Sequence, residues 1–290
     1  MISGAHRPRA SDTRYEELTV RNVLYNVDSR FRRYTDIPST NYQFQFQTPV
    51  NHVVSIKISS VELPNSYPFI SESLNTNTFQ ICYAGEPIEV EIPQGNYTAT
   101  QLLSAIETSL QNSDAGDWSV TINEITGRFT ITEINGVPFK LYLNKGNTLP
   151  KRTRDFGLGS ILGFREKIYK DAVSYTSEAP VNLYGDSYLL VKINDYDLVR
   201  TRSREKEVYT SLAKIILDSP KNNYIFDNRT FITKRYVFPQ PVDIRVLNIQ
   251  LLNPNGDIVD LGDQDWSMTI EMEIIENSNL YESYRNHRIS

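Results

Sequence analysis

The stretch from Val242 to Ile275, VDIRVLNIQLLNPNGDIVDLGDQDWSMTIEMEII, constrains the fold more than any other part of the chain. In its second half Trp266, Met268, Ile270, Met272 and Ile274 alternate with Ser267, Thr269, Glu271 and Glu273. A period of two sustained over that length marks a strand with one buried face and one wet face. In its first half Val242, Ile244 and Val246 share one phase and Leu247, Ile249 and Leu251 the other. Either both faces are covered there or a bulge resets the pleat near Val246. Asn253-Pro-Asn-Gly256 opens the connection, and the two runs read as a hairpin. Two long strands are not stable alone, so a second sheet must pack on them.

The rest of the chain supplies candidates for that layer. Tyr42, Phe44 and Phe46 alternate with Gln43, Gln45 and Gln47, and Pro49 is expected to end this strand. In the next run Val54, Ile56 and Ile58 precede Val61 and Leu63 in the opposite phase, which predicts a bulge near Ser59 and Ser60. Pro64, Asn65 and Pro68 then break the strand. Phase changes in both long runs fit strands that bend from one layer of a sandwich into the other. Tyr188–Ile193 and Ala213–Leu217 are continuous apolar runs, as central strands covered on both faces require. Tyr224-Ile-Phe226 is a short strand leading through Phe231 and Tyr236 back to Val242.

Residues 73–174 read as an inserted lobe of different character. Ile88, Val90 and Ile92 alternate with Glu89 and Glu91, and Pro93-Gln-Gly95 closes that strand. Thr98 is positioned as an N-cap, Gln101 completes a capping box, and Leu102, Leu103, Ile106 and Leu110 form the stripe of an amphipathic helix that ends at Asn112–Gly116. A hairpin follows, with Trp118, Val120 and Ile122 on one arm, Phe129 and Ile131 on the other, and Thr126-Gly127 in the turn. Phe139, Leu141 and Leu143 make one more strand. The expected fold is therefore all-β, an antiparallel jelly-roll β-sandwich of residues 37–72 and 175–276 with this small α+β lobe inserted.

The two ends differ in composition from the middle. Residues 1–36 carry seven arginines against five acids and show no clear period. They are expected to form an N-terminal arm outside the core, either a tether anchored by Tyr25, Phe31 and Tyr34 or a loose terminus. The polar residues 277–290 are a second candidate arm. A net charge of −5 argues against a dedicated nucleic-acid partner, which needs a basic footprint. No apolar run reaches the roughly 18 residues of a membrane helix, and the N-terminus lacks a signal peptide's apolar core. One cysteine, Cys82, rules out an internal disulfide and fits a reducing compartment.

Catalysis and cofactor binding need convergent groups, and the sequence offers none: no catalytic, cofactor-binding or metal residue is assigned. His6, His52 and His287 lie too far apart for a shared metal, and Cys82, without a companion that would activate it, reads as a buried structural thiol. Gly157, Gly159 and Gly163 are spaced like glycines of a phosphate loop, but the strand-to-helix context and Lys-Ser/Thr ending are missing, which leaves a tight apolar turn. Asp155-Phe-Gly157 has none of a kinase's companion motifs. Asp257, Asp260, Asp263 and Asp265 surround glycines without calcium-loop spacing and read as turn formers. Arg200, Arg202, Arg204 and Lys206 recur at every second position, but Asp197, Glu205 and Glu207 dilute them into a solvated loop. The sequons at Asn96 and Asn228 read as chance.

Several short motifs occur in an order that resembles virion proteins of large nucleocytoplasmic DNA viruses, more narrowly their jelly-roll minor capsid or penton-type proteins. They are Ser59-Ser-Val-Glu-Leu-Pro-Asn-Ser66, Ile92-Pro-Gln-Gly-Asn-Tyr-Thr-Ala-Thr-Gln-Leu-Leu103, Thr126-Gly-Arg-Phe-Thr-Ile131, Leu158-Gly-Ser-Ile-Leu-Gly-Phe164 and Tyr188-Leu-Leu-Val-Lys-Ile193. The resemblance implies a non-enzymatic structural protein of the virion, assembled in the host cytoplasm. Its partners would be major capsid protein capsomers and other minor capsid proteins, and it would be a homo- or hetero-oligomer in an icosahedral shell. The alternative from another class is a β-sandwich carbohydrate- or receptor-binding module that uses exposed tyrosines as stacking platforms.

Overall fold

The computed structural model describes residues 19–143, 157–201, 209–226, 232–233 and 235–277. Its first half runs β1 (Val20–Asp28), a single 3-10 turn (Ser29–Phe31), β2 (Asn41–Pro64), β3 (Thr78–Tyr83), β4 (Glu86–Glu91), α1 (Ala99–Gln111), β5 (Trp118–Ile122), β6 (Phe129–Glu133) and β7 (Phe139–Tyr142). The second half runs α2 (Leu158–Leu162), β8 (Tyr169–Ala172), β9 (Ser174–Thr176), β10 (Tyr188–Ile193), β11 (Val199–Thr201), β12 (Tyr209–Ser211), β13 (Ala213–Ile216), β14 (Tyr224–Ile225), β15 (Ile232–Thr233), β16 (Tyr236–Leu252) and β17 (Ser267–Ile275). All pairings among the described residues are antiparallel. The class expected from the sequence, all-β and antiparallel with an inserted lobe carrying one amphipathic helix, is the class observed.

The main sheet has the order β1-β17-β2-β16-β10-β13-β15, with β14 attached to β2. Its axis is β2. The two runs read as a hairpin, β16 and β17, do not pair with each other; β2 lies between them, matched to β16 over Asn41–Ile56 and to β17 over Val53–Glu62. Alternation specifies which face of a strand is buried but not which strand sits at its edge, and the 253–266 connection is long enough to cross over a third strand. Nor does Pro49 end the early strand. It falls where the facing pairs jump from Gln45–Val246 to Val50–Ile244, a break in the ladder where a residue without an N–H is tolerated.

The phase changes are bulges. Thr269 faces Ser60 and Ile270 faces Ile58, so Ser59 is the extra residue, as its neighbours' phases predict. Glu273 faces Ser55 and Ile274 faces Val53, which makes Val54 a second extra residue and buries Ile275 rather than Ile274. On β16 the register shifts between Ile244 and Val246, and Leu247, Ile249 and Leu251 are buried thereafter. By these bends the sheet curls around one apolar core that includes Ile56, Ile58, Leu63, Val191, Leu247, Ile249, Met268, Ile270 and Met272.

Part of the expected N-terminal arm belongs to this sheet. Residues 1–18 lie outside the described residues, but Val20–Asp28 pairs with β17 from Ile275 to Ser267, and Val27 is fully buried. Val23, Tyr25 and Val27 alternate with Asn22, Leu24 and Asn26, a period of two that covers only three apolar positions. The proposed C-terminal arm from 278 onward also lies outside the described residues.

The lobe has a second core. A four-stranded sheet β4-β3-β7-β8 and a three-stranded sheet β5-β6-β9 enclose Phe79, Ile81, Val90, Trp118, Phe129, Ile131 and Phe139. Helix α1 adds Leu102, Ile106 and Leu110, and the expected Thr98–Gln101 capping box is formed in both directions. Strand β9 locks the two sheets together, because the Tyr175 hydroxyl donates to the Phe139 carbonyl at 2.6 Å while the two rings meet edge-on at 4.8 Å.

Where main sheet and lobe meet, Asn96 Nδ2 donates to the Ser66 carbonyl (3.0 Å); beside it, within the main unit, Lys221 Nζ donates to the Tyr67 carbonyl (2.8 Å), its ammonium 5.1 Å above the Tyr67 ring. Burial pulls the Lys221 pKa down to about 8, an effect that the negative charge of Asp186 opposes. Between about pH 8 and the ordinary lysine value near 10.5 the folded chain has released a proton that the unfolded chain still holds, so this group makes stability rise with pH across that window. Lys221→Met is expected to remove that slope, worth about 1–3 kcal/mol between the two limits once partial solvent screening is allowed for. Urea unfolding of both proteins at the two ends of the window checks it, and parallel pH profiles would refute it.

Candidate assembly surface

The residues with chemical potential are dispersed. His52 sits at a β2 position with φ of 55°, its amide bonded to Asp243 (2.9 Å), while His6 and His287 lie outside the described residues. Cys82 is not buried as expected: it is a half-exposed member of β3, on the face left by the inward-pointing Phe79 and Ile81. Leu158 and Leu162 turn inward on α2, and Gly163 caps that helix in the left-handed conformation, so the glycine-rich segment is an apolar turn where it is described. Lys151, Arg152, Arg154, Asp155 and Phe156, and likewise Arg202, Arg204, Glu205, Lys206, Glu207, Asn228 and Phe231, lie outside the described residues. Asp260 accepts from the Gly262 amide (2.8 Å), and Asn96 is committed to the lobe junction, where it also accepts from the Phe69 amide. Among the described residues no group of three or more His, Cys, Asp or Glu could hold a metal ion, and no helix is long and apolar enough to cross a membrane.

What the fold does bring together is an aromatic surface at the corner where β1 ends. Asp28 closes β1 and caps the following turn, accepting from the Arg30 amide (2.9 Å). Its carboxylate, only 3% exposed, is held below the usual range by hydrogen bonding to the Arg30 guanidinium, which is itself 67% exposed. The corner is pinned from behind. The Ser29 amide donates to the Trp266 carbonyl (2.9 Å), Ser29 Oγ and Arg32 Nη1 both donate to Asp265 at 2.6 Å, and the Trp266 indole donates to the Ser39 carbonyl (2.8 Å).

On this fixed corner Phe31 is 74% exposed, its ring 5.8 Å from the Arg30 guanidinium. Across a cleft of about 520 Å³ stands β14. The pairing of Tyr224 with Pro64 puts Ile225 inward and turns Tyr224 and Phe226 outward, where the two rings stack at 5.9 Å and are 51% and 64% exposed. Asp28, Glu62, Asp263 and Asp265 also line the cleft, against Arg30 as its cation. Three exposed rings and an arginine on a rigid frame have the composition of an interface centre rather than of ordinary surface, and the acids favour a partner that brings basic groups. The sequence marked Tyr224–Phe226 as a strand and Phe31 as an anchor. Alternation through Ile225 was the signal that both rings face outward.

No family model matches the chain, and no curated protein matches it. Among solved structures the chain is similar to the penton protein of mavirus, with 11% sequence identity, 88% of this chain and 100% of that chain covered, and a TM-score of 0.47.

Proposed function

We propose that the chain is a structural virion protein, a minor capsid or penton-type component of jelly-roll type that binds major capsid protein capsomers and stabilises an icosahedral shell. The observation that carries this reading is the patch of Phe31, Tyr224 and Phe226 around Arg30, on a corner held by part-buried hydrogen bonds at the end of a curled sheet. A frame pinned in this way loses little entropy on docking, so burial of the rings goes into affinity. The ordered motifs that resemble virion proteins support the same reading from the sequence side. We divide the chain into a main unit and an inserted lobe on the ground that their apolar cores are separate; the lobe reaches beyond the 73–174 expected from the sequence, because Phe69, Ile70 and Tyr175 lie in its core and β9 pairs with β6.

The test is co-sedimentation of the purified chain with assembled capsomers of its major capsid protein. Phe31→Ala with Phe226→Ala is expected to weaken binding about tenfold to a thousandfold, as removal of interface-centre aromatics does, and to leave the melting temperature within about 2 °C because both rings are already solvent-exposed. Wild-type binding by that double variant would remove the patch from the interface. Failure of the wild-type chain to associate with particles at all would overturn the capsid reading.

A further inference from the structure

A second groove lies on the outer face of the main sheet, about 730 Å³ in volume, between the strands β2, β16 and β10 and the segment that follows the 3-10 turn. Its floor is a two-row ladder of amides. In one row Gln43 faces Asn248, Gln43 Nε2 donates to Asn248 Oδ1 (2.9 Å), and Asn248 Nδ2 donates to Asn194 Oδ1 (2.9 Å). In the other row Gln250 faces Asn41 on one side and Lys192 on the other, and Gln250 Nε2 donates to Asn41 Oδ1 (3.2 Å). The wall is fixed as well: Arg32 is 12% exposed and bonded to the Ile37 and Ser29 carbonyls and to Asp265, which holds Arg33 and Tyr34 over the edge of the groove.

We infer that this groove binds an oligosaccharide bearing a carboxylate. Each side-chain amide has two N–H donors and an oxygen with two lone pairs, and the ladder uses only part of that capacity. Gln43 Oε1 and the second N–H groups of Gln43 and Asn248 remain, so the floor presents donors and acceptors side by side at fixed spacing. A sugar hydroxyl is itself donor and acceptor and pairs with such a surface. The polar floor gives an apolar ligand less than it gives a sugar. The volume lies within the range of small-ligand sites and admits two or three sugar rings. Tyr34, 51% exposed with the Arg33 guanidinium 5.1 Å above its ring, offers a stacking face at the rim. Charge narrows the class. Among the described residues neither Lys192 nor Arg33 is in an ion pair, and Asp195 is the one acid lining the groove. Two unneutralised cations over a neutral polar floor select an anionic sugar over its neutral counterpart.

This inference does not rest on the capsid reading, and its test uses the isolated chain. Sialyllactose and trigalacturonate are titrated against lactose and maltotriose by calorimetry and by amide chemical-shift mapping. The expected result is saturable binding in the micromolar to millimolar range, with an acidic sugar preferred about tenfold or more, and shifts centred on Asn194 and Asn248. Asn248→Ala is expected to weaken all sugars about tenfold, and Lys192→Met with Arg33→Met to abolish the acidic preference while neutral binding persists. Ile125→Ala, an exposed side chain on the lobe, leaves binding unchanged. No saturable binding of any of the four sugars overturns the inference, as do wild-type titrations whose shifts map elsewhere. The mapping needs no variant, so a misfolded substitution does not leave the question open.

Discussion

Gly163→Ala is expected to destabilise the lobe by about 3 kcal/mol or more, well above the usual effect of adding one methyl group. Gly163 follows α2 with φ of 88° and ψ of 8°, and its amide closes the last turn onto the Gly159 carbonyl. That conformation alone costs an alanine about 1–2 kcal/mol. The larger part comes from what faces it. The Gly163 carbonyl accepts from the Ala179 amide at 3.0 Å, which draws the two backbones together until a Cβ on Gly163 would stand 2.0 Å from the Ala179 oxygen and 2.7 Å from its carbonyl carbon. Backbone cannot swing aside as a side-chain tip does, so α2 and the chain returning from the lobe must separate. Gly136 is the control: its φ is 79°, yet nothing lies within 4 Å of its would-be Cβ, and Gly136→Ala is expected to cost only the conformational part, about 1–2 kcal/mol. Urea unfolding of the two variants beside wild type decides it. Equal losses would mean that the approach to Ala179 relaxes freely and that the glycine-rich segment is not held as described.

Faces were legible in the sequence and neighbours were not. Met268, Ile270 and Met272 announce an inward row, and Ser59 announces its bulge, because side-chain alternation is imposed within a strand. The insertion of β2 between β16 and β17 is a matter of which edges meet across about two hundred residues of chain, and no local period encodes it. Proline misled for a related reason: Pro49 breaks ladder bonding locally, but a strand bent at a corner has already given up those bonds, so β2 continues through it. The candidate surfaces were hidden differently. Asn41 and Gln43 come from β2, Asn248 and Gln250 from β16, and Asn194 from the turn after β10, and each alone is an ordinary polar residue. They become a groove only when the Val246 bulge turns that phase of β16 outward beside β2 and β10. Arg30 and Tyr224 likewise line one cleft only because the Asp28 corner and β14 both stand at the end of β2.

The two cores are expected to unfold separately, and the chain carries its own reporters for this. Its two tryptophans are divided between them: Trp118 is 1% exposed in the lobe and Trp266 2% exposed in the main sheet. In a Trp266→Phe background fluorescence follows the lobe alone, and in a Trp118→Phe background the main sheet alone. Phe129→Ala empties the centre of the lobe core and is expected to lower the Trp118-reported stability by about 3–5 kcal/mol, while the Trp266-reported transition stays in place. Ile270→Ala in the main core is expected to do the reverse, at about 2–5 kcal/mol. The physical ground is that no side chain belongs to both clusters, and the bond from Asn96 to Ser66 across the junction is polar and partly solvated, worth far less than a buried ring. Additivity between sites without shared partners then holds across the junction and fails within each core. One transition reported by both indoles and shifted alike by either truncation would show that the junction transmits core packing. The lobe would then be one wall of a single cooperative body rather than an inserted unit.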